Sequence, residues 1–202
     1  MAKYGMVIDL KRCVGCYSCV LACKAENGTP PGVFWNKVLA TEKGRYPSAH
    51  IYYTPVACMH CDSPPCEGVC PTGATYKGRD GIVSIEQEKC IGCRYCQVSC
   101  PYDVRSFNER IKGYFQEFGL TPYEKAAYAR HKPGTVSKCD FCSHRLEQGK
   151  EPACVVACPA RARHFGDLGD PTSEVARLIA GRSGYRLREE AGTQPSVYYL
   201  PG

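Results

Sequence analysis

No run of about 18 apolar residues occurs in this 202-residue chain, so no segment reads as a helix through a bilayer. A charged-then-apolar leader is missing as well. Met1 to Leu10 passes directly into a dense cysteine motif, with neither a secretory signal nor a twin arginine. The expectation is a chain that stays in the cytoplasm, or one that crosses a membrane folded on a partner that carries the signal. Nor is there an odd cysteine. All 16 cysteines fall into four groups of four, and none is left over.

The first group is Cys13, Cys16, Cys19 and Cys23, and the second is Cys58, Cys61, Cys66 and Cys70. The third is Cys90, Cys93, Cys96 and Cys100, and the fourth is Cys139, Cys142, Cys154 and Cys158. The first and third read C-x2-C-x2-C-x3-C, the spacing of bacterial ferredoxin sites. Proline follows the last cysteine in three groups, as Pro71, Pro101 and Pro159. Cysteine abundance alone, about 8% of the chain, reaches the range of short disulfide scaffolds. Disulfide frameworks leave irregular spacings, however, and seldom give four quartets with one rhythm. Zinc is the better rival, because C-x2-C pairs also build zinc sites. Zinc ribbons bring two such knuckles separated by a loop. A third cysteine close behind, and a fourth after three more residues, suit a cubane. Thiolates are soft, charged donors that hold iron through four Fe–S bonds. The reading is a scaffold for four [4Fe-4S] clusters, with all 16 cysteines as iron ligands.

A formal charge of +6 invites a nucleic-acid or membrane-surface reading. Sixteen thiolates, set against about +2 for each oxidised core, bring the loaded chain to about −2 and remove most of that case. Lys11, Arg12, Lys24, Lys89, Arg94 and Lys138 stand beside the motifs. They offset cluster charge or solvate the surface, and the sequence leaves both open.

The fold class read from the chain is α+β. Strand signals lie at Tyr4 to Leu10, Ile51 to Ala57, Val104 to Phe107, Arg163 to Gly166 and Ser196 to Leu200. A hairpin joins Thr75-Tyr76 to Ile82–Ile85 through a Gly- and Asp-containing turn. Short helices are expected at Ser18 to Glu26, Cys66 to Cys70, Tyr95 to Cys100 and Ala153 to Ala157. An x3 gap sets two cysteines on one helical face, and the following proline ends the helix. These signals suggest two ferredoxin-like modules in one body. Residues 1–50 with 137–170 carry quartets one and four, and 51–108 carry quartets two and three. Residues 109–136 are a cysteine-free insertion, read either as a partner-facing loop or as plain connection, with a short helix over Pro122 to His131. Residues 171–202 form an extension whose helix starts at Asp170 as N-cap with Pro171 at the first position. It is expected to pack on the cluster body or on another subunit.

Several segments together resemble the four-cluster electron-transfer subunit of the dimethyl sulfoxide reductase family of molybdenum enzymes. They are Gly5 to Leu10, Cys13-Val14-Gly15-Cys16, Leu21 to Lys24, Cys58-Met59-His60-Cys61, Val69 to Ala74, Lys138 to Cys142 and Gly166-Asp167-Leu168. The chain resembles the subunits of polysulfide, thiosulfate and respiratory arsenate reductases, and the resemblance covers nearly the whole chain. In that family the first quartet pairs with the fourth, and the second with the third. The resemblance implies Cys13, Cys16, Cys19 and Cys158 on one cluster, and Cys139, Cys142, Cys154 and Cys23 on its neighbour. It implies Cys58, Cys61, Cys66 and Cys100 on a third, and Cys90, Cys93, Cys96 and Cys70 on the fourth. Some relatives lack the counterpart of Cys93 and hold a three-iron cluster; here the set is complete. The Cys13 site would lie nearest the molybdenum subunit, and the Cys90 site nearest a membrane subunit.

His60 and His144 lie beside ligands, but the quartets are already full, so hydrogen bonding or packing is preferred to ligation. Trp35, Tyr17 and Tyr95 are read as packing that excludes water rather than as electron relays. The expected function is a non-catalytic subunit that relays electrons between a molybdopterin catalytic subunit and a quinone-linked membrane anchor in anaerobic respiration. It would be held at the membrane by its partners, on the periplasmic face if co-exported. The alternative is a soluble polyferredoxin subunit of a cytoplasmic oxidoreductase. No nucleic-acid partner is expected.

Overall fold

The computed structural model describes residues 2–202. Its elements in chain order are β1 (Tyr4–Asp9), α1 (Ser18–Asn27), β2 (Asn36–Lys43), β3 (His50–Ala57), α2 (Pro65–Gly68), β4 (Thr75–Lys77) and β5 (Val83–Ile85). There follow α3 (Tyr95–Val98), β6 (Ser106–Asn108), α4 (Pro122–Tyr128), β7 (Thr135–Ser137), α5 (Ser143–Leu146), α6 (Ala153–Val156), β8 (Arg163–Asp167), α7 (Glu174–Gly181) and β9 (Val197–Leu200). The result is a small mixed α and β fold, as expected.

β1 lies between β8, which it meets antiparallel, and β9, which it meets parallel. It is buried on both faces, which its short apolar run supports. Met6 and Ile8 face the main core with Val38, Val56, Met59, Phe141, Val197 and Tyr199. Val7, one residue out of phase, packs with Val175 and Leu200 beneath α7. Two-stranded ladders β2–β3, β4–β5 and β6–β7 surround this centre. Cys19, Cys58, Cys61, Cys139 and Cys154 belong to the main core itself, so the core is built around thiols. Among the described residues no helix is long and apolar enough to cross a membrane.

Three expectations are corrected. Only α1 carries its third and fourth cysteines, Cys19 and Cys23, on one helix. The helices holding Cys66, Cys96 and Cys154 stop at Gly68, Val98 and Val156, two residues before the last cysteine. The cause is the proline after each of those cysteines, which disfavours helical backbone in the residue before it. The tail helix begins at Glu174, with Ser173 as the N-cap accepting from the Ala176 amide at 3.2 Å. Asp170 is engaged in a local turn instead, accepting from the Thr172 amide and hydroxyl at 2.8 and 2.7 Å. The helix of the insertion ends at Tyr128, short of His131. Its start is a full capping box between Thr121 and Glu124.

The insertion does not hang free. Tyr123 donates to the Ala25 carbonyl at 2.6 Å, and His131 Nε2 meets the Asn27 carbonyl at 2.8 Å. It therefore packs on the helix of the first quartet, while Tyr114, Phe115 and Phe118 stay exposed. The extension packs on the body through β9. The Asp62 and Ser63 amides donate to the Gln194 and Thr193 carbonyls, and the Tyr199 hydroxyl donates to the Pro55 carbonyl at 2.8 Å.

Candidate iron–sulfur sites

All sixteen cysteines are free thiols. Cys13, Cys16, Cys19 and Cys158 line one cavity with Val38 and Pro55. Cys23, Cys139, Cys142 and Cys154 line a second, together with Cys58 and with Met6, Ile8 and Phe141. Cys61 lies within charge-interaction reach of Cys58, Cys66 and Cys100. Cys96 lies within similar reach of Cys90 and Cys70. Cys93 is exposed on the loop between Cys90 and α3.

Cysteines of quartets one and four line two cavities, a lining that would suit a group of several atoms.

Burial pushes the Cys61 thiol up to about 12, with Cys58, Cys66 and Cys100 adding to the shift. Burial likewise raises Cys142 to about 11 and Cys139 well above the ordinary thiol value. Packing so many thiolates together in a dry interior is unfavourable without a cationic group between them. At the surface the trend reverses. The Ser18 hydroxyl and amide hold Cys16 below the ordinary value. Burial opposes the same change at Cys70, but the Thr75 amide at 3.4 Å and the Thr72 hydroxyl outweigh it. Further donors reach sulfur from the Ala162 amide to Cys158 (3.3 Å), the Phe141 amide to Cys139 (3.5 Å) and Asn27 Nδ2 to Cys23 and Cys142 (3.6 and 3.7 Å).

Of the basic residues singled out in sequence, Lys11, Arg12 and Lys89 lie exposed, as the surface reading has it, whereas Lys24, Lys138 and Arg94 are engaged with protein groups. Lys24 donates to the Thr29, Pro30 and Val33 carbonyls at 2.8–3.0 Å and so closes the loop after α1. Lys138 is buried and donates to the Val83 and Cys139 carbonyls. Arg94 lies over the Phe107 ring at 3.7 Å, and Lys89 pairs with Glu86 at the surface. The two basic groups that reach thiols were missed. Arg163 donates to Cys19 at 3.5 Å and Cys154 at 3.7 Å. Arg105 is buried among Cys58, Cys66 and Cys96. A sequence signal existed: each arginine stands five residues after the last cysteine of a Cys-Pro pair, Cys100-Pro101 or Cys158-Pro159.

His144 bonds Glu26 at 2.8 Å beside Arg145, so it takes part in an ion-pair cluster. His60 is fully buried, stacked on Phe141 with centroids 3.8 Å apart, and accepts from the Val83 amide at 3.1 Å. Trp35 packs as expected and donates to Ser137 at 3.0 Å. Tyr17, the residue before α1, and Tyr95, the first residue of α3, do not, being 44% and 64% exposed.

The donor set fits iron–sulfur clusters on a second ground. Arg105 Nη2 is buried with no hydrogen-bond partner among the described residues. A bridging sulfide is an acceptor that would satisfy it, where an apolar filling would not.

Comparison with known proteins agrees. A family profile described as a 4Fe-4S dicluster domain matches residues 49–117 and 114–168, and a 4Fe-4S binding domain matches residues 4–25. The chain is 47% identical to a selenate reductase subunit of Mesobacillus selenatarsenatis, over 96% of this chain and 70% of the relative. It is 42% identical to the arsenate respiratory reductase iron-sulfur subunit of a Shewanella species, over 98% and 96% of the two chains. It is 41% identical to a tetrathionate reductase subunit of Salmonella typhimurium, over 98% and 72%.

Proposed function

We propose, since this chain belongs to the family of iron–sulfur subunits of dimethyl sulfoxide reductase-type molybdenum enzymes, that it holds four cubanes in two ferredoxin-like modules. It is an electron-transfer subunit without catalysis of its own. The observation that carries the four-cluster reading is the crossing of sets. A cavity lined by three cysteines of quartet one is completed by Cys158, and one lined by three of quartet four is completed by Cys23. Such crossing is how two-cluster ferredoxins are tied together. Cys58, Cys61, Cys66 and Cys100 would hold the third cubane, and Cys90, Cys93, Cys96 and Cys70 the fourth.

Bound cubanes supply one-electron redox chemistry. The chain's residues do the rest. Met6, Ile8, Phe141 and Val197 exclude water from the deepest site. Amides of Thr75, Phe141 and Ala162 donate to ligand sulfur, and such donors and burial set the potential. Val14, Leu21, Ile91 and Val98 stand exposed beside the first and third quartets. We assign these to partner contacts, the Cys13 end facing a molybdopterin catalytic subunit and the Cys90 end a quinone-linked membrane subunit. Exposed Tyr114, Phe115 and Phe118 extend the contact surface. Localisation then follows the partners, at the membrane and on whichever face the catalytic subunit occupies.

Protein purified without oxygen is expected to carry about 16 iron atoms per chain, four per cubane. A value near 4, or zinc in place of iron, overturns the reading. Cys93→Ser should disturb one cubane and leave three, seen by electron paramagnetic resonance. Loss of the Cys13 site instead would show the sets to be wrong.

A further inference from the structure

Two arginines occupy matching places. Arg163 is fully enclosed, 4% exposed, at the start of β8. It lines both cavities described above. Nη2 donates to Cys19 at 3.5 Å and to the Asn36 side-chain oxygen at 2.9 Å. Nη1 donates to Cys154 at 3.7 Å and to Met6 sulfur at 3.5 Å. Cys19 and Cys154 are the third cysteines of quartets one and four. Arg105, 3% exposed, donates to the Thr75 hydroxyl at 3.1 Å and lies in charge reach of Cys66 and Cys96. Those are the third cysteines of quartets two and three. Each arginine thus lies between one thiol of each set in its module, with Asn36 or Thr75 as its neutral acceptor.

A buried guanidinium is unfavourable unless it is countered, and it does not lose its proton. Burial opposes the charge on both groups, yet neighbouring sulfurs hold both above the ordinary arginine value. Arg163 donates to the Cys19 and Cys154 thiols, the Asn36 amide oxygen and the Met6 thioether. Its counter-charge is therefore the ligand sulfur of two sets at once.

We propose that Arg163 and Arg105 are inter-cluster cations, each setting the reduction potentials of both cubanes in its module together. This rests on the four-cluster reading above. The sign follows from charge. Adding an electron makes a thiolate-ligated site more negative, and a fixed cation nearby favours that state. The arginine therefore raises both potentials, and being buried it does so with little screening by salt. Because one charge serves two sites, the pair moves in step, and the step between them stays small.

The test uses the full chain loaded without oxygen, titrated potentiometrically and followed by electron paramagnetic resonance. Arg163→Gln should lower two of the four midpoints by about 59 mV or more, tenfold in the one-electron equilibrium, and leave the other two nearly unmoved. Arg163→Lys, which keeps the charge, should restore most of both shifts. Arg105→Gln should move the complementary pair. Four intact cubanes with unchanged midpoints in Arg163→Gln overturn the proposal, and so does a shift confined to one cubane. If Arg163→Gln fails to load, Asn36→Asp decides. It keeps the guanidinium and sets a carboxylate against it, so the same two midpoints should fall, and no fall overturns the proposal. Failure of Arg163→Gln, Arg105→Gln and Asn36→Asp alike to load their sites overturns it in favour of a purely structural role. An iron content near 4 in the unsubstituted chain defeats the four-cluster reading first, and this inference with it.

Discussion

Replacing Gly92 by alanine should cost the protein one cluster site and a measurable part of its stability, and Gly73 provides the control. Gly92 lies between Ile91 and Cys93 with φ at +71°, and Gly73 follows Cys70 and Pro71 with φ at +65°. An L side chain in this region costs about 1–2 kcal/mol. At Gly73 that is the whole cost, because a Cβ would meet nothing within 4 Å. At Gly92 the Cβ would stand 2.2 Å from the Gly134 carbonyl oxygen and 3.1 Å from Phe107 Cε2. The carbonyl cannot turn aside, since the Gly134 amide is tied to the Asn108 carbonyl at 2.7 Å at the head of the β6–β7 ladder. Forced overlap of this kind adds about 1–3 kcal/mol. For a chain of this size each kcal/mol moves the melting point by roughly 2–4 °C. Scanned at one rate, Gly73→Ala should melt roughly 2–8 °C below the unsubstituted chain, and Gly92→Ala roughly a further 2–12 °C lower. Iron analysis should show Gly92→Ala short by about 4 atoms per chain, one cubane's worth. If both variants load fully and melt together, the steric reasoning fails.

Tyr199→Phe leaves the Pro55 carbonyl without its buried donor, and should destabilise by about 1–3 kcal/mol, read as a lower melting point with unchanged iron. Thr121→Ala removes the capping box of α4, a loss of about 1 kcal/mol; hydrogen exchange should quicken over 113–130 and nowhere near the quartets. His131 is held below the usual imidazole value by burial, with the Arg130 charge adding to the effect. The folded state then binds fewer protons than the unfolded one below about pH 6.5, so stability is full above that value and falls with acidification toward the folded pKa. His131 contributes to the fall in stability between about pH 7.5 and 5.5, and His131→Gln should flatten the decline of melting point over that range.

The quartets were legible because cluster ligation writes itself into spacing. Short strands were legible where an apolar run met a turn, as in β1, β3 and the β4–β5 hairpin. β2 was not, because Asn36 to Lys43 has charged residues at its exposed end and gains its identity from β3 alone. β7 is three residues, fixed by pairing with β6 across the insertion. Helix ends were set by geometry that composition does not carry. Ser173 took the capping role from Asp170, since both are good caps and only the loop path chooses between them. The role of Lys24 went unread for a related reason. Proximity to a cysteine in sequence says little about the direction of a long side chain, whereas Arg105 and Arg163, each five residues beyond their motifs, are carried back by a turn and a strand.

β1 sits between strands made well over a hundred residues after it. Lys3 hydrogen-bonds to Asp167, 164 residues away, and Met6 to Leu10 meet 196–200. At about 5–20 residues per second, a ribosome needs about 10–40 s to supply those partners. Through that interval Cys13, Cys16, Cys19 and Cys23 exist as thiols without Cys158, Arg163 or a closed core. Time, rather than strength, is then the vulnerable quantity in making this protein. Alkylating reagent applied to ribosome-bound chains should modify the first quartet far more completely than the same reagent applied after release. An oxidant present during synthesis should likewise cost more iron-loaded protein than one met later, and on the four-cluster reading iron delivery to Cys13, Cys16 and Cys19 should follow synthesis of Cys158.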